Sequence, residues 1–452
     1  MKILFVENRY CTRIWSEVGD RLRAHGHDVA HMVQNPVFSP DAAQCFVLPF
    51  PGKARPLDSR TSRHPELPEK LHSDRAIRHW KGTTDHYLHY QREITRVLET
   101  FRPDVIFGEP TQFHEILTIQ AAQQFKITYL FPSVTRYPAG RIAFYQNDTM
   151  EPLGGDRDSL TLERAIEMRS QIVSRSSVPS YMATTRRTSL GKLKSSLIDK
   201  GLISWGWLKG ERYVTPSPLA KLALERKQRD IVRQWEQMAL DVSAAAWPAQ
   251  PWVLYAMQMQ PESNLDVWGY PWNDQSALIS AAALALDKMG AGLVVKPNPR
   301  SKYELTPALL EVIAQHRNIR ILSHQTKMAD HFPATHAVLS VTGTIILECI
   351  MAGKPVGVLG QHTLAALPGV TRITKPENIT DVLSAALTNT AIKASEADAV
   401  SVLQSLYQTS YPGVLYDPLN QANWATSDNL DTIADSFIKV LQVLPGSNQS
   451  RA

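Results

Sequence analysis

Three short clusters in the second half of the chain collect residue types that handle anions. In Val338-Leu339-Ser340-Val341-Thr342-Gly343-Thr344-Ile345-Ile346-Leu347-Glu348 an apolar strand pattern runs into a hydroxyl and glycine turn and straight on into a helix pattern. Free backbone N–H groups and the positive end of the helix dipole converge on such a turn, so Thr342, Gly343 and Thr344 form a ready site for a phosphate. Glu348 lies roughly 6 Å further along the helix axis, about the span from a nucleotide phosphate to the ribose hydroxyls that a carboxylate can accept. A capped core helix with an incidental exposed Glu has the same spacing, and both readings stand at this level. In Val294-Val295-Lys296-Pro297-Asn298-Pro299-Arg300 a strand ends in a proline-locked turn that offers two cations and an amide to a phosphate, or to solvent. Tyr255 to Asn264 ends a third strand near two carboxylates, Glu262 and Asp266. A carboxylate there can act as general base or nucleophile, or cap the segment that follows.

The elements that must position these clusters are legible as a rhythm. Strand patterns at 253–257, 293–295, 319–322, 337–341 and 356–359 alternate with helix patterns at 275–289, 307–316 and 344–352. Such alternation predicts a parallel sheet with helices on both faces, whose strand carboxyl ends line the ligand crevice. The first half repeats it, with strands at 3–6, 29–33, 105–107 and 128–131, helices at 14–24 and 113–124, and Gly26 turning the first helix into the second strand. A last helix is expected over 430–444.

The chain has 452 residues, 43% hydrophobic and 20% charged, enough for two sizeable cores and against broad disorder. A net charge of +5 is too small over this length to name nucleic acid as a partner. Cys11, Cys45 and Cys349 are too few and too scattered for a disulfide framework or a zinc site, which fits a reducing compartment. The N-terminus turns polar after four apolar residues, unlike a signal peptide, and no apolar run approaches the roughly 18 residues of a membrane span. A cytoplasmic protein is the expectation. Charge is nevertheless concentrated: Arg186 to Arg233 carries 12 basic residues against four acidic ones, and seven of the ten tryptophans lie between Trp205 and Trp272. This suits an anionic polymer or a membrane headgroup region, or else a helical connector with packed tryptophans and solvated cations. Asp156-Arg157-Asp158 imitates a metal-binding Asp-x-Asp but follows no buried strand, so it reads as a solvated loop and no metal is expected.

Two Rossmann-like domains with nucleotide machinery in the second resemble the GT-B glycosyltransferase architecture. More narrowly, Gln260-Pro261-Glu262, the Lys296 to Pro299 turn, Ser340 to Thr344 with Glu348, and Gly353-Lys354-Pro355 resemble the bacterial capsule polysaccharide biosynthesis family, which includes Kdo transferases using the CMP-activated sugar. Ser133 to Arg141 is similar to that family's arginine and proline segment. The resemblance implies an α/β GT-B fold, two Rossmann-like domains facing across a cleft with the C-terminal helix crossing back to the first domain. The expected division is 1–178 as the first, acceptor domain, 179–250 as a basic helical segment and linker, 251–428 as the nucleotide-sugar domain, and 429–452 as the last helix with a loose tail.

Carried over residue by residue, the resemblance implies that Ser340, Thr342, Gly343 and Thr344 hold the nucleotide phosphate, Glu348 the ribose and Lys296 the phosphate or sugar carboxylate, with Gln260, Asn298 and Arg300 also on the donor side. Glu262 would face the reaction centre, with Asp266 in reserve. Related CMP-sugar enzymes often have His where this chain has Asn298, so Lys296 or Arg300 must carry the charge for the leaving group. For the acceptor the candidates are Asn8 and Arg9, Glu109 and His114 near the start of a helix, and Arg136 with Arg141, suited to bidentate recognition of a carboxylate. The reading that results is a metal- and cofactor-independent glycosyltransferase moving Kdo or a related ulosonic acid from a CMP donor to a surface glycan or glycolipid, with possible peripheral contact at the inner membrane. A transferase using a UDP- or GDP-sugar, a sugar-phosphate epimerase of related fold, and a noncatalytic glycan-binding or export-coupling protein remain as alternatives.

Overall fold

The computed structural model describes residues 1–7, 9, 12–41, 44–51, 67–80, 82–176, 189–239, 247–388, 393–415 and 426–444. Its first elements are β1 (Lys2–Val6), α1 (Thr12–Ala24), β2 (Asp28–Val33), β3 (Cys45–Val47), α2 (Arg75–Trp80), α3 (Tyr87–Phe101), β4 (Val105–Phe107), α4 (Phe113–Phe125), β5 (Thr128–Val134) and β6 (Arg141–Gln146). Three helices follow, α5 (Leu162–Val173), α6 (Ser189–Lys209) and α7 (Pro218–Met238). Then come β7 (Trp252–Ala256), α8 (Ser263–Asp266), α9 (Gln275–Asp287), β8 (Gly292–Lys296), α10 (Pro307–Gln315), β9 (Ile319–Ile321), α11 (Met328–His331), β10 (Ala337–Ser340) and α12 (Ile345–Ala352). The chain closes with β11 (Val356–Val358), β12 (Val370–Arg372), α13 (Ile379–Leu387), α14 (Glu396–Gln408), β13 (Tyr411–Pro412) and α15 (Ser427–Gln442).

Two compact units result. The first comprises Met1–Leu160, Pro179–Leu222 and Ser405–Ala452, and the second Thr161–Val178 with Ala223–Gln404. The first sheet is ordered β13-β6-β5-β4-β1-β2-β3, with β1 to β5 parallel and β6 and β13 antiparallel at one edge. The second, all parallel, is ordered β12-β11-β10-β7-β8-β9. In each, strands taken in chain order lie 3-2-1-4-5 outward from one edge, the Rossmann arrangement, with a switch point between the first and fourth strands. Central strands of such sheets are covered on both faces and read as continuous apolar runs, as Ile3 to Val6 and Leu293 to Val295 do, all fully buried. Helix ends are set locally: Asp274 accepts from the N–H groups of Ser276 and Ala277, Thr306 caps α10 ahead of Pro307, and Gly353 ends α12 with φ of +63°.

The unit boundaries depart from those expected. Residues 161–176 belong with the second unit because α5 packs there: the Arg169 Nε donates to the Met351 carbonyl at 3.1 Å and the side chain pairs with Glu396 at 3.2 Å. The chain returns to the first unit at 405 rather than 429. β13 pairs with β6, and α15 lays Phe437 among Phe5, Trp15, Phe107 and Phe144, with centroid separations of 4.6 Å to Phe107 and 4.9 Å to Phe144. Three of the seven clustered tryptophans, Trp235, Trp252 and Trp268, are buried in the second unit, and Trp235 donates to the Leu322 carbonyl at 2.9 Å.

Arg141 is a correction to the acceptor expectation. It opens β6, and its buried guanidinium is not presented to a ligand but bonds Asp156 at 2.6 Å, Ser410 Oγ at 2.8 Å and the Ser410 carbonyl at 2.7 Å while stacking on Tyr407. Asp156, expected to be solvated, has a side chain 2% exposed, because it neutralises that guanidinium. Arg141 thus joins the β6 edge to the returning C-terminal segment. Arg141→Met leaves the Asp156 carboxylate buried without its partner and is expected to lower stability by about 3–5 kcal/mol. Denaturant unfolding checks this, and adding Asp156→Asn should recover part of the loss.

Candidate functional site

In the second unit the switch point lies between β7 and β10, and the segments leaving their carboxyl ends meet there. After β7, the buried Gln258 has its N–H and carbonyl both paired with the Gln275 side chain at 2.9 Å, and the Tyr255 hydroxyl donates to the same amide oxygen. The Gln258 side chain reaches the loop after β10. With its amide carbonyl turned to that loop, the oxygen accepts from the N–H of Thr342 at 3.0 Å and from that of Gly343. Ser340 Oγ accepts from the Gly343 N–H at 3.0 Å, and the Thr342 hydroxyl donates to the Asn264 carbonyl. A Cβ at 343 would lie 2.7 Å from Ser340 Oγ, so that hydroxyl would have to move.

The predicted phosphate ligands therefore divide. Ser340 and Thr342 are fully buried and shape the loop from within, whereas Gly343 and Thr344 are half-buried at its surface. Gln260 and Asp266 are likewise inward: the Gln260 amide donates to Asp266 Oδ1 at 2.5 Å and to the Asn273 carbonyl, and Asp266 Oδ2 accepts from the Glu262 N–H at 3.1 Å. Asp266 thus fastens the turn that presents Glu262, which is itself half-buried.

Lys296 is buried rather than presented, its ammonium donating to the carbonyls of Pro297 at 3.0 Å and His324 at 3.2 Å. Burial lowers its pKa to about 8, against a raising contribution from Glu236. Asn298 Oδ1 accepts from the Arg300 N–H at 2.8 Å, leaving Arg300 as the exposed cation of the cluster. Sequence patterns did not reveal His324, whose ring contacts Glu236 and lies 2.8 Å from Ser301 Oγ. Nor did they reveal Arg175, which pairs with Glu348 at 2.8 Å and lies over the Phe332 ring. Burial raises the Glu348 pKa, and the Arg175 charge opposes that.

In the first unit the switch point lies between β1 and β4, where Glu7 and the start of α4 come together. His114 is fully buried, and its Nε2 lies 2.8 Å from the Glu7 carbonyl, so that nitrogen carries the proton and Nδ1 is the bare lone pair. Burial lowers its pKa to about 4. Glu115 takes the role of a helix cap, accepting from the N–H groups of Gln112 and Thr111. Glu109, half-buried, accepts from the Thr111 hydroxyl. Burial raises the Glu7 pKa to about 8, with Arg9 opposing and Glu211 assisting. Nearby Glu211 is buried and closes the turn to Thr215 through the N–H groups of Tyr213, Val214 and Thr215, while Tyr213 stacks on His86 at 4.2 Å. Glu7 Oε1, His114 Nδ1, the Tyr90 hydroxyl and both His86 nitrogens are buried and form no hydrogen bond in this structure. Such groups are rare unless a water or ligand completes them. Arg136 is half-buried in the β5–β6 hairpin, and Asn8 lies outside the described residues.

No family model matches the chain, and no curated protein matches it. Among solved structures it is similar to the β-Kdo 2,7 transferase KpsC of Thermosulfurimonas dismutans, at 9% identity over 98% of this chain and 100% of that one, with a TM-score of 0.38. It is also similar to a glycosyltransferase of Rickettsia africae (9%, 99% of each chain, TM-score 0.31) and to the UDP-GlcNAc 2-epimerase of Methanocaldococcus jannaschii in complex with UDP-GlcNAc and UDP (11%, 90% and 99%, TM-score 0.30). The fold class rests on the strand orders themselves: an α/β chain of two Rossmann-like units whose last helix belongs to the first, the GT-B plan.

The first-unit cluster gives a test independent of any ligand. A Glu7 carboxyl that keeps its proton when folded, up to pH about 8, but loses it near 4.5 when unfolded makes stability fall as pH rises across that window. Glu7→Gln, a neutral isostere, should remove this contribution, so the variant gains stability relative to the native chain between pH 6 and pH 9 in denaturant titrations. An unchanged difference would mean that Glu7 is ionised throughout.

Proposed function

We propose that the chain is a glycosyltransferase that binds a CMP-activated ulosonic acid such as Kdo in its second unit and transfers the sugar to a surface-glycan acceptor. The observation that supports this most is the loop after β10. At the switch point of a parallel sheet it already receives an oxygen, that of the Gln258 amide, on the N–H groups of Thr342 and Gly343. A phosphate oxygen would take the same donors together with the start of α12, and the Gln258 amide would turn aside. Glu348, one helical turn on, would accept the ribose hydroxyls after Arg175 gives way. Arg300 and the buried Lys296 would stabilise the leaving phosphate. Glu262 would serve the reacting centre from the turn that Asp266 fastens. On the first unit, the unpaired polar atoms of Glu7, His114 and Tyr90 would be completed by acceptor hydroxyls.

Calorimetry against CMP, CDP, UDP and GDP tests the donor. Selective CMP binding is expected; selective UDP or GDP binding would move the donor to that base, and no binding would leave a noncatalytic role. Glu348→Ala should weaken CMP by about tenfold or more, the ~1.4 kcal/mol or more of one charge-assisted hydrogen bond. Glu262→Gln should instead depress turnover with CMP affinity retained. Normal turnover in that variant would remove Glu262 from the chemistry.

A further inference from the structure

The helix α6 carries an apolar face that no described residue covers. At 3.6 residues per turn, Leu197, Ile198, Leu202, Trp205 and Leu208 fall within an arc of about 140°, and all five are exposed, Trp205 by 52%. The other side of the helix is anchored. Ile203 is buried there, and Gly206 and Gly210 admit Asn35, whose amide donates to the Gly206 carbonyl at 3.2 Å; a Cβ on Gly210 would collide with it. The exposed stripe is therefore held outward by packing on its opposite side. Leu219 and Leu222, at the start of α7, are exposed as well, and Lys221 ties that helix to Asp199 of α6 at 3.5 Å.

The sequence that carries the face is basic on balance. Between residues 189 and 222 the sequence has six basic residues, Lys192, Lys194, Lys200, Lys209, Arg212 and Lys221, against two acidic ones, Asp199 and Glu211. Both acids are occupied, Asp199 by Lys221 and Glu211 by its own turn. Lys200 and Lys209 remain exposed, with the Lys209 ammonium 5.5 Å from the Trp205 ring centroid. An apolar stripe with an interfacial tryptophan and basic flanks matches a bilayer surface bearing anionic headgroups. A second copy of the chain would set like charges against each other.

We propose that this face docks the protein on an anionic lipid surface, with α6 lying in the headgroup plane and not crossing it. No helix among the described residues is long and apolar enough to cross a membrane. The contact is independent of the donor chemistry above. The test is flotation of the full chain with vesicles of phosphatidylcholine containing phosphatidylglycerol, and with phosphatidylcholine alone. Binding is expected only with phosphatidylglycerol present and should weaken as salt rises. Leu202→Ser with Trp205→Ser should reduce it about tenfold or more, and Lys200→Gln with Lys209→Gln should reduce it separately. These positions are exposed, so unchanged circular dichroism and melting are expected in both variants. Absence of flotation, or flotation equal in the variants and the native chain, would overturn the proposal. So would a native dimer that the Trp205 variant converts to monomer with vesicle binding unaltered.

Discussion

Where β7 ends, the peptide groups of Gln258 are buried beyond the reach of the sheet ladder, and the Gln275 side chain meets both of them. A buried peptide group left unpaired costs about as much as a lost hydrogen bond, so this single amide lets the turn stay packed. Its consequences spread outward. Gln258 is held with its side chain toward the loop after β10, that loop closes on Ser340, and a Cβ at 343 would press on the Ser340 hydroxyl. The Asp274 cap sets where α9 begins and hence where Gln275 stands. One chain of hydrogen bonds thus runs through this end of the second unit, although Asn264 Oδ1 and Glu304 Oε1 beside it are buried without a hydrogen bond.

At the corresponding end of the first unit such atoms gather in one cluster. Glu7, His114, Tyr90 and His86 are buried with polar atoms left unanswered, although Glu211 and Glu115 close their own turns in full. Burial outweighs the opposing Arg9 charge at Glu7 and the Glu7 carbonyl contact at His114, and drives both to their neutral forms. Neutral groups of this kind can donate or accept hydrogen bonds without the desolvation penalty of a fixed charge.

The parallel-sheet plan was legible because its strands are continuous apolar runs, and 105–107 was placed to the residue. The helix at 87–101 carries a signal as well, Tyr87, Tyr90, Ile94, Val97, Leu98 and Phe101 repeating on one face, whereas β12, Val370-Thr371-Arg372, and the two-residue β13 hold no apolar run. At the site, the sequence located the loops but not the direction of their side chains. Thr342 turns inward to the Asn264 carbonyl, and Glu348 is answered by Arg175; both partners are remote in sequence and carry no local signature. Arg141 looked like a ligand for the same reason that makes it a clamp: a guanidinium accepts whichever carboxylate the fold brings, and here that is Asp156.

The interleaving of the two units has a consequence for the order in which the protein can be completed. Residues 405–444 supply β13 and the helix whose Phe437 fills the space among Phe5, Trp15, Phe107 and Phe144, yet they follow the whole of the second unit in the chain. As the chain emerges during synthesis, the first sheet can pair its central strands early, but its aromatic seat and the β6 edge stay open until the last tenth of the sequence arrives. The Arg141 guanidinium waits over the same interval for Ser410. The second unit, whose segments all precede residue 405, can be complete before the first, so the N-terminal unit is the last to close.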